Sequence, residues 1–183
     1  FGTISDIETA SVDGDGLPEV IVLNKSVSGA MIGVFEWNSS AQAMTSNWVT
    51  TCDNGSDIRV GDIDNDGDDD IGVFDSSEMQ MCIHFANALG LSAVSNFSLP
   101  LGSLNAHLAD LDGDGSAELI SASSVGDLNL RVWDSGSGAF GENLTQMIED
   151  NGSVGMPASL NDLITGEFHG SGNNSSVVVF DAM

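Results

Sequence analysis

An acidic nine-residue pattern occurs three times in this chain, and each copy runs directly into a short apolar segment. The copies occupy residues 11–19, 62–70 and 110–118, and all three place glycine at position 6 and a carboxylate at position 9. Carboxylates at such density repel one another unless a cation lies among them. The pattern therefore predicts a cation site, and its repetition predicts a fold built from repeated units.

Calcium is the cation that fits this spacing of oxygen atoms. It takes six to eight oxygen ligands, and a short loop can supply most of them from positions 1, 3, 5, 7 and 9, with a backbone carbonyl at position 7. Glycine at position 6 permits the sharp turn that points these oxygens inward. We predict about three Ca²⁺ ions, held by Ser11, Asp13, Asp15, Leu17 and Glu19, by Asp62, Asp64, Asp66, Asp68 and Asp70, and by Asp110, Asp112, Asp114, Ser116 and Glu118. The first site is expected to be the weakest, because Ser11 carries no carboxylate.

The nonapeptide has two other interpretations besides a calcium-binding loop. An EF-hand requires a glutamate at position 12 and flanking helices, whereas Val22, Val73 and Ser121 hold that position. A solvated acidic turn without metal is the alternative, since Asp and Gly are common in turns. Three copies in one register favour calcium, and magnesium fits less well because it demands tight octahedral geometry. A fourth copy, residues 167–175, keeps a single carboxylate and is predicted to hold no metal.

The spacing of the copies predicts the fold. Position 3 falls at residues 13, 64, 112 and 169, at intervals of 51, 48 and 57 residues. Each interval contains four short strand-like segments and no helix-periodic stretch, which is typical of propeller blades. We predict an all-β fold, a β-propeller of four-stranded antiparallel blades, with about three and a half blades in a single repeat region over 1–183. The units span approximately 5–54, 55–103, 104–159 and, in part, 160–183. Three aromatic residues at equivalent places are expected to pack between blades: Trp37, Phe85 and Trp133.

The loop pattern D-x-D-x-D-G-x-x-[DE] before a strand, at a spacing near 50 residues, resembles the FG-GAP/VCBS repeat of integrin α-subunit propellers and many secreted microbial proteins. The resemblance implies calcium in the loop between the first two strands of each blade. It also implies a seven-bladed ring, for which this chain has too few blades. We therefore expect it to be part of a larger protein or assembly, with open strand edges that pair with another chain. The Phe-Gly landmark of the family is matched at 1–2 and 140–141, but no Gly-Ala-Pro is present.

The charge of the chain excludes several classes of partner. Its 28 acidic residues stand against three basic ones, for a formal net charge of −25, and 13 of the acids lie in the three nonapeptides. Three calcium ions would still leave about −19. Such a surface repels nucleic acids and anionic membranes.

Two further features point to an extracellular or cell-surface location. Eight of the 14 asparagines begin an Asn-x-Ser/Thr acceptor pattern for N-glycosylation, namely Asn24, Asn38, Asn54, Asn96, Asn143, Asn151, Asn173 and Asn174. A loop composition dominated by Ser and Asn is the alternative explanation. Cys52 and Cys82 are the only cysteines, and in an exported protein such a pair predicts a disulfide, with two buried thiols as the alternative. No signal peptide or membrane span is visible, so we expect a mature or excised segment.

No enzymatic motif is found in the sequence. His84, His107 and His169 fall at unrelated positions of the repeat, and neither a nucleophile elbow nor a phosphate-binding loop is present. We therefore expect a non-enzymatic, calcium-binding, glycosylated module for adhesion or for recognition of a protein or glycan ligand. Two alternatives stay open. One is a structural subunit of an extracellular filament or surface layer that binds further copies of itself. The other is an ancillary domain of a secreted polysaccharide-active enzyme.

Overall fold

The computed structural model describes residues 2–123, 127–141, 144–147, 160–166 and 176–181. Within these ranges the regular secondary structure is entirely β, which confirms the all-β prediction. No helix in the same ranges has the length and apolar character needed to cross a membrane. All strand pairings are antiparallel.

Three four-stranded sheets follow one another along the chain, and within each sheet the strands lie side by side in chain order. Sheet 1 contains β1 (Thr3–Ala10), β2 (Glu19–Ser26), β3 (Gly29–Asn38) and β4 (Ala43–Thr50). Sheet 2 contains β5 (Asp57–Gly61), β6 (Asp70–Asp75), β7 (Gln80–His84) and β8 (Ser95–Ser98). Sheet 3 contains β9 (Ser103–Ala109), β10 (Glu118–Ser123), β11 (Asp127–Arg131) and β14 (Leu144–Met147). Two smaller pairs complete the described structure, β12 (Trp133–Asp134) with β13 (Ala139–Phe140) and β15 (Leu160–Gly166) with β16 (Ser176–Asp181). The separate pair of β12 with β13 comes between the last two strands of sheet 3 in sequence.

Each acidic nonapeptide connects the first strand of its sheet to the second. Its last residue, the position 9 acid, is in every case the first residue of the second strand: Glu19 in β2, Asp70 in β6 and Glu118 in β10. The second strand is then central and covered on both faces, as β6 and β10 show by being buried throughout. Burial on both faces explains why these strands read as continuous apolar runs and not as alternating ones.

The sheets stack face to face in chain order. We call the face of a sheet that lies toward the next sheet its forward face, and the opposite face its rear face. Side chains of the forward face of sheet 1 pack on the rear face of sheet 2, and they include Ile21, Leu23 and Ile32 against Ile71, Val73 and Cys82. The forward face of sheet 2 packs on the rear face of sheet 3 in the same way, with Phe74, Met81 and Ile83 against Leu108 and Leu119. One packing arrangement is therefore used twice.

The first strands of successive units also contact one another: β1 contacts β5, β5 contacts β9, and β9 contacts β15. Arg59 in β5 joins three sheets at this place. Its Nε donates to the carbonyl of Ala106 at 2.9 Å and its Nη2 to Asn105 Oδ1 at 3.0 Å. On the other side, its Nη1 lies 4.0 Å from Asp6 Oδ2, which also accepts the N–H of Ile58 at 2.8 Å. One half-buried arginine thus connects β1, β5 and β9.

A disulfide joins Cys52, in the connection after β4, to Cys82 in β7, with a Cα–Cα distance of 6.0 Å. Both residues are buried and belong to the core between sheets 1 and 2. The bond therefore links the first two sheets covalently.

Aromatic packing between sheets is seen for two of the three residues expected to provide it. The rings of Phe85 and Trp133 lie 4.8 Å apart between sheets 2 and 3, in contact with Phe97 and Phe140. The expectation was wrong for Trp37, which is 55% exposed. Trp37 lies on the rear face of sheet 1, and none of the described residues forms a sheet against that face.

Candidate metal centre

The three acidic loops share one internal hydrogen-bond network. In each, the backbone N–H of position 2 donates to the position 9 carboxylate: Val12 to Glu19 at 2.9 Å, Ile63 to Asp70 at 2.9 Å, and Leu111 to Glu118 at 2.7 Å. The bond closes the loop at the start of the second strand. It also fixes one carboxylate oxygen of the position 9 acid. The surrounding residues determine where the other oxygen points.

A second shared bond shapes the middle of each loop. The N–H of position 7 donates to the position 5 carboxylate, from Leu17 to Asp15, from Asp68 to Asp66 and from Ser116 to Asp114, at 2.7, 3.0 and 2.8 Å. Between these positions the glycine at position 6 has a left-handed φ of 77°, 97° or 99°. Residues with a Cβ rarely adopt that conformation, which explains the glycine in every copy.

Position 1 distinguishes the first loop from the other two. Asp62 accepts hydrogen bonds from the N–H groups of Asp66 at 3.1 Å and Gly67 at 2.9 Å, and these bonds stabilise the turn. Asp110 does the same for Gly113 at 2.6 Å and Gly115 at 3.1 Å. Ser11 has no carboxylate with which to do so. Its own N–H instead donates to Asp69 Oδ2 of the next loop at 3.0 Å.

The folded loops bring carboxylates together in three groups, within each of which one ligand atom per residue lies within 4.8 Å of the others. The groups are Asp62 with Asp64 and Asp66, Asp110 with Asp112 and Glu118, and Asp13 with Asp15 and Glu36. Eight of these nine residues were predicted as ligands from the sequence. The predicted side chains that stand outside the groups are Ser11, Glu19, Asp70 and Asp114.

Asp70 stands outside its group, and both of its carboxylate oxygens accept backbone hydrogen bonds. Oδ2 accepts the N–H of Ile63, and Oδ1 accepts the N–H of Ala86 at 2.8 Å. Each oxygen has a second lone pair, so these bonds do not prevent coordination. They do mean that Asp70 ties its loop to the segment after β7 whatever else it binds.

Glu36 is the one grouped residue that lies outside the nonapeptides. It belongs to β3, and extending the β2–β3 register by one pair beyond Val20 and Phe35 places it opposite Glu19. The sequence feature that could have identified Glu36 is therefore the tight turn between β2 and β3, because this turn sets the register of the hairpin. Glu36 supplies a third carboxylate to the loop whose position 1 is a serine.

Burial makes several of these carboxylates poor anions in the absence of a cation. Burial raises the pKa of Asp70 to about 7, against the two hydrogen bonds that lower it. Burial likewise raises the pKa of Glu19 and Glu118, and that of Asp64, to which the negative charges of Asp66 and Asp62 add. An ionised carboxylate in a desolvated place is costly unless it is paired.

Two oxygen atoms test whether a cation would fit. Glu118 Oε1 and Asp64 Oδ1 are buried and make no hydrogen bond within the described part of the chain. Buried polar atoms without a partner are rare and call for a ligand, a water or an ion. Both belong to the carboxylate groups, and a hard oxygen-only donor set suits calcium or magnesium and not zinc or copper.

The loops are also bonded to each other. The N–H of Asp69, at position 8 of the second loop, donates to the carbonyl of Ser11 at 2.7 Å, and that of Ala117, at position 8 of the third, donates to the carbonyl of Asp62 at 2.6 Å. The second and third loops are therefore each hydrogen-bonded to position 1 of the loop before them. The three carboxylate groups consequently lie in a row along one edge of the stack.

A cavity of about 230 Å³ adjoins the first loop. Asp13, Glu19 and Glu36 line it together with apolar groups of Val34 and Leu91. It lies between the forward face of sheet 1 and the connection after β7.

The remaining predicted sites are distributed as follows. The fourth nonapeptide, 167–175, lies outside the described residues, as do Asn143, Asn151, Asn173 and Asn174. Asn54 and Asn96 are exposed, and Asn24 and Asn38 are partly buried in strands. Asn38 Oδ1 accepts the N–H groups of Ser40 and Ala41, which closes the turn after β3.

Comparison with known protein families gives one match. Residues 12–73 match the model of the FG-GAP-like repeat. The matched segment begins in the first acidic loop, covers the rest of sheet 1 and ends in β6, so it includes two of the three loops. A search of curated proteins returned no match.

Proposed function

We propose that this chain, whose residues 12–73 match the FG-GAP-like repeat, is an extracellular calcium-binding module of that repeat family whose sheets are blades of a β-propeller. The observation that carries the proposal is the repetition of one loop network, with the carboxylates of each loop gathered within reach of a single ion. Two hydrogen bonds of this network, from position 2 to position 9 and from position 7 to position 5, recur in all three loops.

The propeller arrangement is supported by the way the units meet. Each sheet has four antiparallel strands side by side in chain order, successive sheets pack face to face, and the first strands of consecutive units contact one another. First strands gathered at one place with sheets radiating from it are the geometry of propeller blades around an axis.

Calcium in this proposal is held by the grouped carboxylates together with the position 7 carbonyls. It supplies positive charge where burial and mutual repulsion disfavour carboxylate anions, and it satisfies the oxygens of Glu118 and Asp64 that lack hydrogen bonds. Glu36 takes the place of the missing position 1 carboxylate in the first loop. The ion acts as a structural staple and not as a catalyst, and we propose no enzymatic activity.

Export and a recognition role have separate support. A disulfide is expected in oxidising compartments, and millimolar calcium outside cells suits loops of moderate affinity. Asn54 and Asn96 are exposed acceptor sites for glycans. The family resemblance favours adhesion or the binding of a protein or glycan ligand. In the cavity beside the first loop, such a ligand could reach both carboxylates and apolar groups.

Isothermal titration after chelation tests the proposal. Calcium should bind at about three sites, and the double variant Asp64→Ala/Asp112→Ala should lose two of them. The matched control is Glu8→Ala/Asp53→Ala, which removes the same charge from exposed positions outside the loops and should keep all sites. The proposal would be refuted if titration of the wild-type chain with calcium gave no binding heat that saturates and if chelators left its stability unchanged.

A further inference from the structure

We propose that the Asp15–Gly16 bond in the first acidic loop is a site of spontaneous isoaspartate formation, and that the equivalent Asp114–Gly115 bond in the third loop is protected from it. Both loops have the sequence Asp-Gly-Asp-Gly at positions 3–6. The difference between them therefore lies in the folded structure. The reaction takes place in the calcium-free chain and does not rest on the proposed function.

The reaction requires a backbone N–H that is free to attack the neighbouring carboxyl group. The nitrogen of Gly16 forms a bond to Cγ of Asp15, the Cγ–O bond breaks, and the hydroxyl leaves with the hydrogen of the N–H as water. A second water then opens the cyclic imide. When it adds at the former main-chain carbonyl carbon, the chain afterwards runs through the Asp15 side chain, with no net change in mass. Glycine favours this ring closure because it has no Cβ to obstruct it.

Position 1 determines whether the glycine N–H groups are engaged. In the third loop the N–H of Gly115 donates to Asp110 Oδ2 at 3.1 Å, and that of Gly113 donates to Oδ1 of the same residue at 2.6 Å. In the first loop position 1 is Ser11, which has no carboxylate. There the N–H of Gly16 makes no hydrogen bond to any residue that the structure describes. The attacking group is therefore free in the first loop and bound in the third.

The remaining geometry of the two loops is alike. The position 5 carboxylate accepts the N–H of position 7 at 2.7 Å in the first loop and 2.8 Å in the third. The position 3 carboxylate accepts the N–H of position 5 at 3.1 Å in both. The position 6 glycines are both left-handed, with φ of 77° and 99°. The third loop thus serves as an internal control for the first.

Gly16 also has more open surroundings than its counterpart. A Cβ on Gly115 would lie 2.9 Å from Oδ1 of Asn65 in the second loop, whose Nδ2 donates to the carbonyl of Asp114 at 3.4 Å. A Cβ on Gly16 would meet no described residue within 4 Å. Asp15 and Gly16 are both exposed, so the ring can form there without displacing a neighbour.

Crowding also distinguishes Asp15 from Asp13 within the first loop. Asp13 too is followed by a glycine, but a Cβ on Gly14 would lie 3.0 Å from Oδ1 of Asp68. Asp68 belongs to the second loop and is only 8% exposed, so a ring at Asp13 would have to displace a packed side chain. This is why we assign the reaction to Asp15.

Isomerisation would change the first loop at its centre. It lengthens the main chain by one carbon and removes the side-chain oxygen that accepts the N–H of Leu17. A chain aged without calcium would therefore lose calcium affinity in its first loop before the other two. That consequence rests on the proposed function, whereas the isomerisation itself is measured in chelator.

Trypsin separates the two loops, because the chain has only three basic residues, Lys25, Arg59 and Arg131. Residues 1–25 carry the first loop, and residues 60–131 carry the second and third. The whole chain is incubated in chelator near neutral pH and then digested, and electron-transfer dissociation mass spectrometry locates isoaspartate. It should accumulate at Asp15 roughly two- to tenfold faster than at Asp114, the factor that one net hydrogen bond provides.

Two exchanges at position 1 test the cause. Ser11→Asp supplies the missing acceptor and should lower the rate at Asp15 to that at Asp114. Asp110→Ser removes the acceptor and should raise the rate at Asp114 by a similar factor. Glu78→Ser is the matched control, since it removes an exposed acid from the same tryptic peptide as Asp110, and it should leave both rates unchanged.

Circular dichroism would establish that each variant is folded. In denaturant, where the hydrogen bonds of the loops are absent, Asp15 and Asp114 should isomerise at similar rates. Equal rates in the folded wild-type chain would overturn the proposal. A preference for Asp15 that persists in denaturant would also overturn it, as would position 1 exchanges that leave both rates unchanged.

Discussion

At the scale of single residues, the position 9 acids connect the loop chemistry to the sheet. Each begins a central strand, accepts a backbone N–H from its own loop and is almost fully buried. A carboxylate so placed is costly as an isolated anion and useful beside a cation. Its protonation should therefore report whether a cation is bound.

The calcium-free protein should become more stable as the pH falls from about 8 to about 5.5. The folded-state pKa of Asp70 is raised from 3.8 to about 7, so the folded state holds a proton that the unfolded state releases between those values. The stability that this group contributes is complete below about pH 4 and is lost as pH rises through 7. Scanning calorimetry in chelator should show the melting temperature rising by on the order of 5 °C when pH falls from about 8 to about 5.5.

Raised pKa values at Glu19, Asp64 and Glu118 act in the same direction. Asp70→Asn should flatten the dependence, and saturating calcium should reduce it because the ion replaces the proton. A melting temperature that falls over the same acidification would contradict this account of the buried carboxylates.

Glu36 should contribute to calcium binding in the first loop. Glu36→Gln removes the charge that substitutes for a position 1 carboxylate while keeping the shape of the side chain, so the weakest calcium site should lose roughly tenfold in affinity. Glu78→Gln, at an exposed position outside the carboxylate groups, is the matched control. Equal calcium-binding isotherms for the two variants would show that Glu36 is not a ligand in this site.

At the scale of elements, the sequence was sufficient for what local pattern controls. Glycine at position 6 located the loops, because the turn requires a residue without a Cβ. The following apolar run located the second strands, because a strand buried on both faces requires apolar side chains. Glu36 and Trp37 could not be assigned correctly in the same way. The partner of Glu36 depends on hairpin register, and the exposure of Trp37 depends on whether another sheet covers its face. Neither is a property of the nearest neighbours in sequence.

The connection between sheets should depend on Arg59. Arg59→Met removes the bonds to Ala106 and Asn105 and leaves Asp6 without its basic neighbour, so it should lower the free energy of unfolding by about 2–3 kcal/mol. Arg59→Lys should recover little, since an ammonium cannot reproduce the planar fork. The control is Arg131→Met, because Arg131 is solvent-exposed in its bond to the carbonyl of Ser98. Chemical denaturation that ranks the two Met variants equally would show that Arg59 does not hold the sheets together.

At the scale of the whole molecule, repetition has an electrostatic consequence. Stacked sheets joined loop to loop place three carboxylate groups along one edge of a chain whose net charge is −25. Packing and the loop-to-loop bonds favour the stack, and repulsion along that edge opposes it. Cations bound in the loops would relieve the repulsion in every unit at once, and for this reason we propose that calcium binding and folding are coupled.

The most direct measurement is a crystal structure of the protein grown with calcium, with an anomalous difference map calculated at long wavelength. We expect a peak in each of the three loops, about 2.3–2.6 Å from carboxylate oxygens. These oxygens should belong to Asp62, Asp64 and Asp66, to Asp110, Asp112 and Glu118, and to Asp13, Asp15 and Glu36. Ordered loops without anomalous density at saturating calcium would contradict the central claim.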